Sequence, residues 1–239
     1  MRLVMCITVA ASLWAPAVHA QSLAAARAAF EAGRFAEASE LAAASGTSEG
    51  LALAAETLAI HGFHRAPEPE RQALFQKAQG FAEEAIRLDD ANPEAHLQLS
   101  HAMGRYAQTF GKGVKALRLA GPVREAMERA VALAPELARA QLSLASWHAE
   151  AGRNLAGRLM TGASKKTAAQ HFERAYALAP GDKAVQVEYA KGLLALDRRR
   201  NRDRARALFT EAAETPPRDA YDGILQEEAH AWLATLDGS

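Results

Sequence analysis

The chain has 239 residues, and its 28 lysines and arginines balance its 28 acidic residues, so the formal net charge at pH 7 is zero. Net charge alone therefore argues neither for a nucleic-acid partner nor for an acidic substrate. Aromatic residues make up only 6% of a sequence rich in alanine, a composition that favours closely packed helices over an aromatic-rich β core.

The first twenty residues have the pattern of a signal peptide. Arg2 supplies a positive start, residues 3–15 form an apolar run, and Val18-His19-Ala20 gives the small-x-small pattern of a cleavage site. An uncleaved anchor is the alternative, but the run is well short of the roughly 20 residues that span a bilayer. We therefore expect cleavage after Ala20 and export to a periplasm-like compartment, with no transmembrane segment in the mature chain.

Cys6 is the only cysteine, and it lies inside that apolar run. The chain from residue 21 onward has none, which excludes disulfides, thiol catalysis and Cys-ligated metal sites from the mature protein.

Helical patterns then follow one another along the chain. Two short helices around Gly33 are predicted within residues 22–45, and a third over 48–60. Residues 61–69 read as a break before a longer helix that ends near Leu88.

Asn92 and Pro93 form a helix start, because Asn can cap free backbone N–H groups and Pro fits the first turn. We expect this helix to cover residues 93–108.

A nine-residue sequence motif occurs twice, ending at Pro135 and at Pro180, which gives a period of 45 residues. Small residues recur at the same spacing, as expected where helices of a repeat pack closely. The two clearest series are Ala85, Ala130, Ala175 and Ser100, Ala145, Ala190.

These positions resemble the tetratricopeptide repeat (TPR), a helix–turn–helix unit with small residues at fixed positions and a closing proline. Ser100, Ala145 and Ala190 match its eighth position, whereas Pro135, Pro180 and Pro217 match its thirty-second. The resemblance implies an all-α fold, a right-handed α-solenoid of four to five hairpins over residues 21–239. A capping helix would close it at about 218–236.

The long linked hairpins and the closing Thr215-Pro216-Pro217 are similar to the regulator of microtubule dynamics family, over roughly Ala78 to Leu236. Eukaryotic members of that family are associated with microtubules. An exported chain does not meet microtubules, so we expect the shared fold to imply no shared role.

The TPR resemblance also implies binding of extended peptides or partner helices in a concave groove lined by the first helices of the units. We therefore predict a non-enzymatic adaptor or scaffold for a protein or peptide partner. Carried onto this chain, the groove positions are Leu97, His101, Arg105, Leu142, Ser146, Glu150, Val187, Lys191 and Leu194.

Basic residues gather in the three segments between paired helices, whereas acidic residues gather in the opposite turns. Ordinary solvated loops are one interpretation. The other is a basic edge that meets an anionic surface, such as an acidic protein, a polyanion or a layer of lipid headgroups. This basic edge consists of Lys112, Lys115, Arg118, Arg153, Arg158, Lys165, Lys166, Arg198, Arg199, Arg200 and Arg202.

Apolar residues lie in the same segments, among them Leu119, Leu155, Leu159 and Met160. They are predicted either to pack as short helix extensions or to form an exposed patch for a partner.

No catalytic, metal-binding or cofactor-binding motif is present, so we expect no catalytic residue, metal or cofactor. The alternative is an enzyme accessory or small-ligand carrier with a site between groove and inserts, around His101, Arg105 and Glu150. A deep enclosed cavity with convergent polar groups would favour that alternative, and an open groove would favour the adaptor. A self-assembling structural protein is a third possibility.

Overall fold

A computed structural model describes residues 15–111, 114–153 and 155–238. Over these residues the chain is all-α, without strands. The helices are α1 (Ala15–Glu31), α2 (Phe35–Ala43), α3 (Ser48–His64), α4 (Glu68–Leu88), α5 (Pro93–Phe110), α6 (Val114–Leu133), α7 (Ala138–Ala151), α8 (Leu155–Thr161), α9 (Lys165–Leu178), α10 (Lys183–Glu214) and α11 (Ala220–Asp237).

Successive helices pack as antiparallel hairpins, each of which contacts the next. The pairs are α1 with α2, α3 with α4, α5 with α6, and α7 with α9, while α8 lies in the connection within the fourth pair. Long α10 supplies both helices of a fifth hairpin, and α11 packs on it as the closing helix. This arrangement confirms the predicted α-solenoid.

The small residues that predicted the repeat register form the contacts between helices. Ala85, Ala130 and Ala175 have no exposed surface, and the same is true of Ser100, Ala145 and Ala190. Such sites admit a close approach of helix backbones, since a larger side chain would overfill them. The residues that recur every 45 positions are therefore residues of the core.

The boundary predictions were right at α5 and too short at α3. Asn92 caps α5 as predicted, because its side-chain oxygen accepts a hydrogen bond from the Glu94 N–H at 3.0 Å. Helix α3, by contrast, runs on to His64, so the break expected over residues 61–69 is confined to the turn at 65–67.

The segments between paired helices are more helical than the sequence indicated. Helices α5 and α6 extend into the first, and α8 occupies most of the second. The third is not a loop: α10 continues through it with a kink at Asp197, whose φ of −162° and ψ of 97° depart from helical values. The Asp197 carboxylate caps the new turn by accepting from the Arg200 N–H at 3.0 Å.

The array curves until its last helix meets its first. Tyr221 of α11 lies edge-on to Phe30 of α1, with ring centroids 6.3 Å apart. Gly33 adopts a φ of +76°, and a Cβ atom there would lie 3.0 Å from that of Ala220. Glycine suits this turn on both counts. The contact brings α11 across the concave side.

The predicted signal peptide lies mostly outside the described residues, which begin at Ala15. The first core residue described is Leu23, so cleavage after Ala20 would keep every residue identified in the core. In the described part of the chain, no helix combines the length and hydrophobicity that crossing a membrane requires.

Candidate partner-binding cavity

A cavity of about 530 Å³ lies on the concave side between α5, α6 and α7, and is partly open to solvent. Helices α10 and α11 each contribute one further residue to it, Glu188 and Tyr221. Its volume lies within the range of about 300–1,000 Å³ that is typical of ligand pockets. The concave side is thus a cavity with defined walls.

One wall is apolar. It is formed by Leu119, Val123 and Met127, which follow one another at helical spacing along α6, together with Leu142 and Trp147 of α7. The Arg124 guanidinium lies 5.4 Å from the centre of the Trp147 ring, which helps to hold the indole in place. This wall suits a hydrophobic side chain.

The facing wall is polar, and Arg105 of α5 is its main cation. Its guanidinium lies 3.6 Å from the centre of the Phe63 ring, a cation–π contact. It also donates a hydrogen bond to the Gln108 side chain at 3.1 Å. No described carboxylate forms an ion pair with it, so donor N–H groups remain for a ligand.

His101 lies beside Arg105 and connects α5 to α7. Its Nε2 is 2.7 Å from the Ser143 hydroxyl oxygen, and that hydroxyl donates to the Arg139 carbonyl at 2.9 Å. Burial, followed by the charge of Arg105, lowers the pKa of His101 to about 3. The ring is therefore neutral at physiological pH and a poor proton acceptor, so it acts here as a hydrogen-bonding group.

Arg139 of α7 links three hairpins. It donates to Glu94 of α5 at 2.8 Å and to Glu56 of α3. The charge of Glu56 chiefly raises the pKa of Arg139, against the opposing effect of burial. Arg139 lines both the cavity and a neighbouring space of about 80 Å³, and Glu56 lines the smaller space. The ion-pair network fixes the spacing of the first helices of the units.

Lys191 joins α10 to the closing helix. Its ammonium group lies 2.7 Å from Glu188 and 2.8 Å from Glu228 of α11. Burial opposes its charge, but the two carboxylates outweigh burial and raise the pKa of Lys191. The His64 ring lies edge-on to Tyr221 at 5.8 Å. Together these contacts hold α11, and with it Tyr221, against the cavity.

The structure brings five of the nine predicted groove residues into this cavity, namely His101, Arg105, Leu142, Ser146 and Glu150. The other predicted positions need correction. Leu97 and Val187 are fully buried between helices and Leu194 is nearly so, since inward curvature turns these positions into the core. The Lys191 ammonium group forms ion pairs with two carboxylates, so it does not face a partner in the groove.

Sequence reasoning missed several residues of the site. Three of them lie on α7 at intervals of four residues, namely Arg139, Ser143 and Trp147. Because residues three or four apart share a face of a helix, the predicted Ser146 and Glu150 could have pointed to them. Glu188 comes one residue after a predicted groove position. No pattern in the sequence pointed to Tyr221. Its position depends on a contact between the two ends of the array, and that contact depends on the curvature of every unit between them.

The described residues contain no group of three or more His, Asp or Glu side chains placed to hold a metal ion. The cavity instead combines an apolar wall, hydroxyl groups and separated charges.

A model of the family described as "Regulator of microtubule dynamics protein 1-3" matches residues 47–237. The match covers the whole of α3 to α11, and therefore the whole cavity. The chain belongs to this family. This result confirms the resemblance inferred from the repeat and its inserts.

The solved structures show the same fold for this regulator of microtubule dynamics family member. One match is the crystal structure of a thermophilic TPR protein from Thermus thermophilus, with a TM-score of 0.66 and 16% sequence identity. It covers 89% of this chain and 99% of the other. Comparison with curated proteins finds no match.

The predicted basic edge of this family member lies outside the cavity. Lys112 falls outside the described residues, and the side chain of Lys115 is not described. Arg118 is exposed on α6, and Arg202 of α10 donates to the Leu236 carbonyl of α11. The remaining predicted residues lie in or beside α8 or follow the kink of α10, and they are Arg153, Arg158, Lys165, Lys166, Arg198, Arg199 and Arg200.

Proposed function

We propose that this protein is an adaptor that binds a peptide segment of a partner protein in the concave cavity. The observation that carries the proposal is the composition of the cavity wall. The first helices of successive hairpins, α5, α7 and α10, all contribute to one space of about 530 Å³. A peptide laid across these helices would contact each of them in turn.

The chemistry of the walls indicates what the peptide should carry. A hydrophobic side chain would pack on Leu119, Val123 and Met127, where burial of apolar surface favours binding. Ser146 offers a hydroxyl group to the peptide backbone. Arg105 would meet an acidic side chain or a terminal carboxylate, because its guanidinium keeps free donors.

Selection from a displayed peptide library tests this proposal. Immobilised wild-type protein should enrich peptides with an apolar residue close to an acidic group. Ser146→Trp would fill the cavity and should reduce the affinity for the selected peptides by about tenfold or more. Gln76→Trp, which adds the same ring at an exposed site on α4, is the matched control.

Arg105→Gln separates the acidic preference from general binding. Loss of a charge-assisted hydrogen bond should weaken acidic peptides about tenfold and leave their amidated counterparts almost unchanged. Selected peptides that bind Ser146→Trp and wild type equally would show that the cavity is not the peptide site.

A small-ligand carrier is the second candidate function, and the volume of the cavity favours it. His101, Arg105 and Glu150, the residues expected for such a site, all line the space. Native mass spectrometry of the purified protein distinguishes the two functions. A co-purified small molecule, present in wild type and displaced by Ser146→Trp, would support the carrier over the adaptor.

We also propose that the adaptor works outside the cytoplasm, after export. The support is the pattern of residues 1–20, with its apolar run and the small-x-small site before Gln21. Fractionation of the expressing cell, with N-terminal sequencing of the product, tests this. Recovery from the cytoplasm with Met1 or Arg2 at the N-terminus would contradict it.

A further inference from the structure

We propose that helix α8 and the basic residues beside it attach the protein to an anionic lipid surface. This docking surface consists of Leu155, Leu159 and Met160 together with Arg153, Arg158, Lys165, Lys166 and Arg198, Arg199, Arg200. It lies outside the cavity and is independent of the proposed peptide binding.

Helix α8 exposes large apolar side chains to an unusual degree. Leu155 is 61% exposed, Leu159 77% and Met160 64%. Among the described residues, the only other exposed large hydrophobic is Leu88, at 45%. No residue of α8 is buried. Three such side chains on two turns of helix form a patch that water does not favour.

Basic residues lie within α8 and on both sides of it in the chain. Arg153 comes before α8, Arg158 lies within it, and Lys165 and Lys166 begin α9. The Lys165 ammonium donates to the Leu196 carbonyl at 2.8 Å, which places the start of α9 against the α10 kink and Arg198. Two distant stretches of sequence therefore meet at one edge.

The positive charge of this edge is largely uncompensated. Residues 150–166 and 196–200 hold seven basic residues and only two acidic ones, Glu150 and Asp197. Arg153 pairs with Glu150 at 3.3 Å. Lys166 and the three arginines after the kink are exposed, and none of them forms an ion pair with a carboxylate of the described chain.

Charge and hydrophobicity together select a membrane over an acidic protein or a soluble polyanion. A polyanion needs the cations alone and leaves the leucines in water. At a bilayer surface, basic side chains attract anionic headgroups while short apolar side chains enter the boundary with the acyl chains. Each contribution is weak by itself, and stable attachment takes two signals.

Co-sedimentation with lipid vesicles tests the proposal. One vesicle type contains equal parts of phosphatidylglycerol and phosphatidylcholine, and the other phosphatidylcholine alone. The protein should bind the anionic vesicles, and added salt should weaken binding because it screens exposed charges. All variants are prepared in the same form, so that any contribution of the N-terminal residues is common to them.

Leu159→Gln should reduce binding about tenfold, since it removes one buried leucine side chain from the interface. Leu88→Gln, at the exposed leucine outside this docking surface, is the matched control and should bind like wild type. Arg198→Glu with Arg199→Glu should also reduce binding about tenfold or more. Arg65→Glu with Arg174→Glu changes net charge equally at exposed sites away from this edge, and should have a smaller effect.

Met160→Trp adds an indole ring that reports insertion directly. Its fluorescence should shift to shorter wavelength with anionic vesicles, and brominated lipids should quench it. Vesicle binding that Leu159→Gln leaves intact would overturn the proposal. Polyglutamate binding with the same affinity in wild type and Leu159→Gln, without vesicle binding, would assign the edge to acidic macromolecules instead. A concentration-dependent dimer that Leu159→Gln abolishes would assign it to self-association.

Discussion

Arg139 and Glu94 are separated by 45 residues, one repeat period, and their side chains form an ion pair at 2.8 Å. The same position in consecutive hairpins thus carries opposite charges that join the hairpins. The Glu56 carboxylate accepts a second hydrogen bond from the same guanidinium, and another oxygen of Glu94, Oε2, is buried without a hydrogen-bond partner. Arg139 therefore holds two carboxylates that would otherwise repel each other.

Arg139→Met should lower the free energy of unfolding by about 1–3 kcal/mol near neutral pH, because it leaves both carboxylates half-buried and unpaired. Urea unfolding followed by circular dichroism measures this. Arg87→Met removes an exposed pair with Glu84 and should have only a small effect. Equal losses in the two variants would show that the Arg139 network contributes no more than a surface pair.

Acidification should destabilise the protein through two partly buried histidines. Burial, followed by the charge of Arg105, lowers the pKa of His101 to about 3 and that of His64 to about 4. In the unfolded chain each would titrate near 6.5, so between these values the unfolded state binds more protons. The stability is full above about pH 7 and falls as the pH drops, by about 2 kcal/mol for each histidine at pH 5.

His101→Gln tests this contribution, since glutamine keeps a polar side chain but takes up no proton. Unfolding free energies are measured near pH 7.5 and near pH 5. The loss of stability of wild type between the two values should shrink by about 2 kcal/mol in the variant. His230→Gln, at an exposed site on α11, should leave the loss unchanged. An unchanged loss in His101→Gln would mean that the ring takes up its proton without unfolding.

Overfilling the repeat contacts should destabilise the array. Ala130 and Ala175 have no exposed surface, so leucine at either position should cost about 1–3 kcal/mol. Ala132→Leu, on the exposed face of the same helix as Ala130, is the control and should be nearly neutral. Chemical denaturation compares the three variants. Wild-type stability in Ala130→Leu would contradict the 45-residue register.

Position 192 needs glycine because a neighbouring side chain leaves no room for a Cβ atom, and not because of its backbone conformation. A Cβ atom there would lie 2.1 Å from the Phe172 ring, which is fully buried and stacked on Tyr189 at 5.1 Å. Gly192→Ala should therefore destabilise the protein by about 1–3 kcal/mol. Gly80 of α4 has open space in place of a side chain, and Gly80→Ala should stabilise by about 0.5–1 kcal/mol. Thermal melting should move the two variants in opposite directions.

The fold could be predicted in detail because its contacts are local. A series such as Ala85, Ala130 and Ala175 records which face of each second helix meets its partner, and all three are buried. Periodicity is less informative about boundaries. Helix α3 runs past the glycine and histidines that suggested a break, since tertiary packing outweighs weak local propensity.

The candidate site could be predicted only in part. The repeat register predicted that the groove face contains His101, Arg105, Ser146 and Glu150, and all four line the cavity. The same register assigned Leu97 and Val187 to that face, but both are buried. A helical position that faces the groove in a straight array faces a neighbouring helix in a strongly curved one.

By itself the sequence determined the repeat, the register and the family, because stacked hairpins depend on residues at fixed and short separations. The tertiary structure decided where the chain is concave and what closes it. Small rotations between hairpins add up over the array until Tyr221 reaches Phe30 and the cavity. The same rotations bring Lys165 against the α10 kink that precedes Arg198. As a result, α8 and the basic residues lie at one edge. Neither result can be read from any single repeat, since each depends on the sum of all the interfaces between its parts.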